Sequence, residues 1–278
     1  MKRVFEGIGL LSLICFSFFY TNKISSVIKD SDDIMIEIKE VAKHYKITNQ
    51  DAIIKDNTII PGLKGQEIDI IKSYKKMKQY NRFNDSLLVY KKINPTVSYQ
   101  DKFDKYIISG NKNKKEVSLL FLVNSNDTIT KTLAILDKNN LKATFFTDGY
   151  WFTNNNQMVI DLIKQHHNIG NLGYDLDYSA SGVPWMNTIV TKIGKQNNTY
   201  CYNENLEALK LCQVNRSYSI KPSIIAVNPL KDVKDNLKNG SIIALEVNDK
   251  VLNELQLIIN YINYKDLKIV NLETLLEE

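Results

Sequence analysis

The chain has 278 residues, 44% of them hydrophobic, with a net charge of +5 and only 11 glycines and 5 prolines. That composition supports a sizeable core and excludes a disordered, collagen-like or low-complexity chain. Lysines are spread along the sequence, as in KSYKKMKQY and NKNKKE, without any nucleic-acid-binding module signature, so nucleic acid is not an expected partner. Dispersed lysines read first as a solvated surface, and second as attraction to an anionic wall polymer or phospholipid surface.

Residues 1–23, MKRVFEGIGLLSLICFSFFYTNK, place Lys2 and Arg3 before an apolar stretch from Gly7 to Tyr20. That order is the pattern of an export signal. The stretch is shorter than the roughly 20 residues of a spanning helix. No small-x-small cleavage site follows it, and Ile14 precedes Cys15 where a lipoprotein signal needs a small residue. The expectation is an uncleaved signal-anchor, with a cleaved signal and secretion as the alternative. The positive flank then stays inside and the rest of the chain faces outward. In an oxidising compartment Cys201 and Cys212 are candidates for a disulfide, with two buried free thiols as the alternative. No histidine lies near them in sequence, so zinc is not expected there.

Residues 24–49 read as a stalk or short helix, with Ile34, Ile36, Ile38, Val41 and Ala42 among charged residues. Residues 50–113 read as a small α+β module. It has turn punctuation at Pro61, Gly62 and Gly65, a helix over IDIIKSYKKMKQYNRF, and short strands at SLLVYKKI and DKYIISGN.

From residue 114 the texture changes. VSLLFLV (117–123) is a continuous apolar run, as in a strand covered on both faces. A helix over 128–140 follows, with Thr128 a candidate N-cap. Then come a strand at 143–149, a helix at 154–167 and a glycine-rich strand at 168–177. TYCYN, SIIAV and GSIIALEV read as further strands, NLEALKLCQ and 250–266 as helices, and KIVNL as the last strand. Strand and helix alternate, which indicates parallel strands with right-handed crossovers. An open sheet and a barrel both fit. No phosphate-cradling glycine motif opens the first helix.

The segments VSLLFLVNSNDTITKTLAILDKNNLKATFFTDG, DLIKQHHNIGNLGYDLDYS and the tail ending KIVNLETLL resemble the polysaccharide deacetylase family, the NodB homology domain. The resemblance covers about residues 115–278, and KATFFTDG and HHNIGN are its most specific parts. It implies a distorted (β/α) barrel, here preceded by an N-terminal membrane helix and a small α+β module. Active members remove acetyl groups from N-acetylglucosamine polymers, using a divalent metal held by an aspartate and two histidines, an aspartate base and a histidine acid.

Laid on this sequence, the family's Thr-Phe-Asp-Asp-Gly falls on Leu120, Phe121, Leu122, Val123 and Asn124. Its Asn-His-x-x-x-His falls on Asn171 to Leu176, so both imidazoles become leucine, Leu172 and Leu176. Glu246 takes the place of the acid histidine. The resemblance therefore implies a site with no metal cofactor, in which Leu122, Val123, Leu172 and Leu176 meet and pack. A rebuilt carboxylate site at Asp175, Asp177 and Glu246 is the enzymatic alternative, on the expectation that the two aspartates alternate along a strand. Adjacent His166 and His167 read as surface residues at a helix end, where they suit the helix dipole.

Aromatic residues beyond the strand ends, Tyr150, Trp151, Tyr174, Trp185, Tyr200 and Tyr202 foremost, are candidates for stacking on sugar rings, with ordinary loop packing as the alternative. The expected function is an exported, membrane-anchored, catalytically inactive protein that binds cell-wall glycan or a wall-associated protein. An active deacetylase with a rebuilt site and a cell-surface scaffold are the alternatives.

Overall fold

The structure, a computed structural model, describes residue 17 and residues 30–123, 126–178 and 181–278. The signal-anchor segment and Asn124 lie outside the described residues. Among the described residues no helix is long and apolar enough to cross a membrane.

The first half of the chain contributes α1 (Asp33–His44), β1 (Ile53–Lys55), β2 (Thr58–Ile60), β3 (Gly65–Ile68), α2 (Ile70–Lys78), β4 (Tyr90–Ile93), β5 (Tyr106–Ile107), β6 (Glu116–Leu122) and α3 (Asn126–Lys138). The second half contributes β7 (Thr144–Thr147), α4 (Gly149–Asn154), α5 (Asn156–Lys164), β8 (Asn168–Asn171), α6 (Gly182–Lys192), β9 (Tyr200–Tyr202), α7 (Leu206–Val214), β10 (Tyr218–Ile220), β11 (Ile224–Ile225), α8 (Pro229–Asn236), β12 (Ile242–Glu246), α9 (Asp249–Tyr264), β13 (Lys268–Val270) and α10 (Leu272–Leu276).

These elements sort into two units, one of residues up to 49 with 64–94, the other of 50–63 with 95–278. A cut does fall after Asn49, but residues 50–113 are not one module: 64–94 join the first unit, while 50–63 and 95–113 belong to the second. The stalk helix is a packed helix. Ile34, Met35 and Ile38 of α1 are buried against Ile68, Tyr74 and Met77, because its apolar stripe needs a partner to leave water. Asp32 caps α1 by accepting from the Ile34 amide at 3.1 Å, and Asp69 caps α2 by accepting from Lys72 N–H at 3.0 Å. The antiparallel pair β3–β4 completes that unit.

The strands β1, β2 and β5, whose residues fall in the range expected to form the small module, instead join the large sheet. A two- or three-residue strand is unstable alone and gains its hydrogen bonds from a longer sheet. β2 runs parallel to β5, and β5 parallel to β10. Among the described residues eleven strands form this sheet, in the order β1-β2-β5-β10-β9-β8-β7-β6-β12-β11, with β13 pairing the first half of β6. Every pairing from β2 to β11 along that path is parallel. Side chains from distant strands, among them Ile59, Leu120, Phe146, Tyr200 and Ile242, share one interior cluster, so the sheet curves into a barrel left open between its ends. This is the distorted (β/α) barrel.

Strand β6 shows why. Val117, Leu119 and Phe121 face outward and are covered by Ile129 and Leu133 of α3 and by Leu255, Ile258 and Ile262 of α9. Leu120 faces the interior. A run buried on both faces has no polar side to show water, which is the continuous pattern of the sequence. Gly170 of β8 lies under the Phe146 ring, where a Cβ would sit 2.3 Å from Cδ1, so only glycine lets that ring cross.

The far end of the chain is clasped into the barrel. The Glu278 carboxylate accepts from the Gly62 and Tyr99 amides at 3.0 and 3.1 Å and from the Ser98 hydroxyl. Lys114 donates to the carbonyls of Thr274 and Glu277 at 2.7 and 2.8 Å, satisfying the open end of α10.

Candidate functional site at the strand ends

The register brings the C-terminal ends of five strands to one mouth. Leu122 stands opposite Phe146 and Glu246, Thr147 opposite Asn171, and Asn171 opposite Cys201. Leu122 packs on the interior cluster beside buried Leu172, Tyr178, Tyr202 and Phe146. Phe146 and Tyr202 meet edge to face with centroids 6.0 Å apart. Burial is the first cause, and the Glu204 and Glu246 carboxylates the second, that pushes the Tyr202 hydroxyl up to about 12. It is a neutral phenol at neutral pH and no general base.

The four apolar residues do not meet, which corrects the expected plug. Val123 packs in the outer cluster with Val247 and Val251, because consecutive residues at a strand end point to opposite faces. Leu176 is 64% exposed. The reason is a tight turn after β8. Gly173 has φ +76°, where a Cβ would lie 2.2 Å from the Asp177 carbonyl oxygen, and Asp175 and Leu176 also have positive φ. Tyr174 and Asp177 close that turn with paired backbone bonds of 3.1 and 2.9 Å. The interior half of the plug is Leu122 and Leu172 alone.

The same turn corrects the rebuilt carboxylate site. Asp175 and Asp177 do not alternate along a strand, because β8 ends at Asn171. Both are exposed, and Glu246 stands on β12 accepting from Asn248 Nδ2 at 3.2 Å. Glu246 lines a small cleft of about 120 Å³ with Leu122, Glu204 and Lys250. Among the described residues no three His, Cys, Asp or Glu side chains gather at metal-holding distance. A divalent metal of the family's kind does not fit, since Leu122, Val123, Leu172 and Leu176 offer no donor atom.

Asn171 is the residue that sequence reasoning passed over. It is fully buried. Its Nδ2 donates to the Val183 carbonyl at 3.1 Å and to Asn187 Oδ1 at 2.7 Å, while its Oδ1 accepts from Gly173 N–H at 2.7 Å. It ties the end of β8 to α6 and holds the turn. The signal was present in sequence as an asparagine set in IGNLG, where a short polar side chain next to glycine favours local turn bonding.

The aromatic candidates divide. Tyr200 and Tyr202 are 1% and 4% exposed and unavailable to a sugar, because both project into the packed interior. Trp151 and Trp185 stand on helices α4 and α6. Trp151 packs against two core clusters. Tyr150 and Tyr174 are exposed at 57% and 40%, and Trp185 is half-buried. Tyr174 and Trp185 form an edge-to-face pair with centroids 5.3 Å apart and an 88° interplanar angle. Gly149 lets them close, since a Cβ there would lie 2.6 Å from both rings.

His166 is exposed, but His167 is buried, which corrects the reading of both as surface residues. The chain turns back through positive φ at His166, carrying His167 inward. His167 Nδ1 accepts from the Ala143 amide at 3.1 Å, and its ring meets Phe145 edge on at 5.2 Å. Burial, with the nearby Lys142 ammonium adding, pushes its pKa down to about 4. An unfolded histidine titrates near 6.5, so between these values the unfolded chain binds the extra proton. The stabilisation is complete above about pH 6.5 and is lost as pH falls towards 4, by roughly 2–3 kcal/mol. Urea unfolding at pH 7 and pH 4.5 is expected to show that loss, and His167→Gln to reduce it. An identical pH slope in the variant would contradict the assignment.

Cys201 and Cys212 are joined by a disulfide with Cα atoms 6.1 Å apart. It ties β9 to α7.

Residues 109–210 match the family described as polysaccharide deacetylase. The protein YlxY of Bacillus subtilis (strain 168) is 37% identical over 154 residues, 54% of this chain and 48% of that protein. The match thus spans about half the length of that relative. Wild-type BA3943, a CE4 family pseudoenzyme from Bacillus anthracis, has the same fold, with 24% identity, a TM-score of 0.67 and coverage of 89% of this chain and 96% of that one. The Bc1960 peptidoglycan N-acetylglucosamine deacetylase superposes with a TM-score of 0.55 at 21% identity, over 61% of this chain and 92% of that one. Residues 109–210 thus match the polysaccharide deacetylase family, and the chain has the fold of the CE4 proteins.

Proposed function

We propose that this is a non-catalytic relative of the polysaccharide deacetylases that binds cell-wall glycan outside the cytoplasmic membrane, held there by its N-terminal segment. One observation carries the reading. Where the resemblance places the base and a metal ligand, Leu172 is instead part of the apolar cluster that holds Phe146, Tyr178 and Tyr202, and Leu122 packs against that cluster. A cation needs oxygen, nitrogen or sulfur donors, and among the described residues no rebuilt set replaces them. BA3943 is a pseudoenzyme on the same fold, and Bc1960 acts on peptidoglycan, which supports a wall glycan as the ligand class.

The binding face is the Tyr174–Trp185 pair together with exposed Tyr150 of α4. Sugar rings present C–H faces that stack on such rings, each worth about 1 kcal/mol, or roughly fivefold in affinity. Pull-down on purified peptidoglycan is expected to survive chelator and to weaken by about fivefold in Trp185→Ala and again in Tyr174→Ala. Retention unchanged in the double variant would remove this face from the account.

A further inference from the structure

The barrel is open between the two ends of its sheet, where β1 and β2 on one side do not pair with β11 on the other. The seam is stitched by loops instead. Gly110 N–H donates to the Gly240 carbonyl at 2.8 Å, and Asn239 Nδ2 donates to the Lys112 carbonyl at 3.0 Å. Gly240 has φ +82°, and a Cβ there would lie 2.4 Å from the Gly110 oxygen, so the stitch depends on glycine. Beside it lies a cleft of about 720 Å³. Three exposed lysines, Lys112, Lys221 and Lys238, share its walls with Ile60, Ile108 and Pro222, and no carboxylate lines it. Among the described residues none of these three lysines joins an ion pair. The hydroxyls of Ser223 and Ser241 are occupied, each accepting from a backbone amide at 3.0 Å, so the charge of the cleft comes from the ammonium groups.

We infer that this seam cleft binds a phosphodiester-linked polyol or sugar chain, independently of the aromatic face at the strand ends. Three unneutralised positive charges around one groove attract a polyanion. Their type selects the anion. A lysine ammonium is a point charge that suits the tetrahedral phosphate, whereas planar carboxylate recognition favours the arginine fork, and the lining has no arginine. The apolar wall of Ile60, Ile108 and Pro222 suits the carbon backbone between successive phosphates.

The test uses the purified chain and a fluorescein-labelled poly(glycerol phosphate) oligomer, followed by anisotropy. Saturable binding is expected, weakening as salt screens it. The Lys112→Ala/Lys221→Ala/Lys238→Ala variant should lose roughly tenfold in affinity, while Lys164→Ala/Lys192→Ala/Lys195→Ala, on another part of the surface, should stay within about twofold. Thermal melting of both variants, expected to match the parent, establishes that they fold. Any of four results would overturn the proposal: no saturable binding, an equal loss in the control variant, equal affinity for polyglutamate, or inorganic phosphate binding as tightly as the oligomer.

Discussion

Replacing Leu172 by aspartate is expected to lower the unfolding free energy by about 3–5 kcal/mol at neutral pH. Leu172 is 8% exposed and belongs to the interior cluster with Phe146, Tyr178 and Tyr202. The change removes its buried apolar area and places a carboxylate among aromatic faces. Its backbone amide, which donates to the Thr147 carbonyl at 3.0 Å, is untouched, so the loss belongs to the side chain. Burial raises the folded pKa of such a carboxyl above the unfolded value near 3.9, so the variant is least impaired below pH 4 and loses stability as pH rises from there. Leu176→Asp is the control. Leu176 is 64% exposed, and the same change there should alter stability by no more than about 0.5 kcal/mol. Urea unfolding at pH 7 reads both. Equal stability of Leu172→Asp and the parent would mean that the mouth is open to water at that position.

The second large effect is the disulfide. Cys201 and Cys212 lie 11 residues apart in sequence, and closing so short a loop restricts the unfolded chain by roughly 3 kcal/mol. The Cys201→Ala/Cys212→Ala variant is expected to unfold with about 3 kcal/mol less free energy and to melt roughly 6–12 °C lower. Both cysteines are fully buried, so the native bond should resist reductant that does not unfold the protein. A double variant as stable as the parent would show that packing of β9 on α7 suffices without the bond.

The alternation of strand and helix after residue 114 was legible because buried parallel strands and amphipathic helices each leave a simple pattern. Strand β10 was not, since Tyr218–Ile220 is set among the polar residues of NRSYSIKPS. Its Ser219 is buried because the hydroxyl donates to the Leu209 carbonyl at 3.1 Å, a tertiary bond that no local pattern encodes. The interleaving of the two units was hidden for a related reason. β1, β2 and β5 are short, and only the chain of pairings from β1 through β2 and β5 to β10 assigns them. Thr128, a candidate cap, lies within α3, which begins at Asn126.

At the site, the loss of ligand-type residues was visible in the resemblance to the deacetylases. Which replacements pack together was not. Strand alternation separates Leu122 from Val123, and the left-handed turn at Gly173 throws Leu176 outward. That turn depends on Asn171 bonding to Val183 and Asn187 of α6, 12 and 16 residues further on. The same holds for the aromatic candidates, where burial of Tyr200 and Tyr202 follows from the inward face of β9.

Apolar packing closes the mouth of the barrel, and among the described residues no cluster of ligating side chains is left there to hold a cation. The direct measurement is metal content of the purified chain after incubation with zinc, together with acetate release from chitooligosaccharides and peptidoglycan. No stoichiometric metal and no acetate above the uncatalysed background are expected. Equimolar zinc, with acetate release that chelator abolishes and that Leu172→Asp alters, would contradict it.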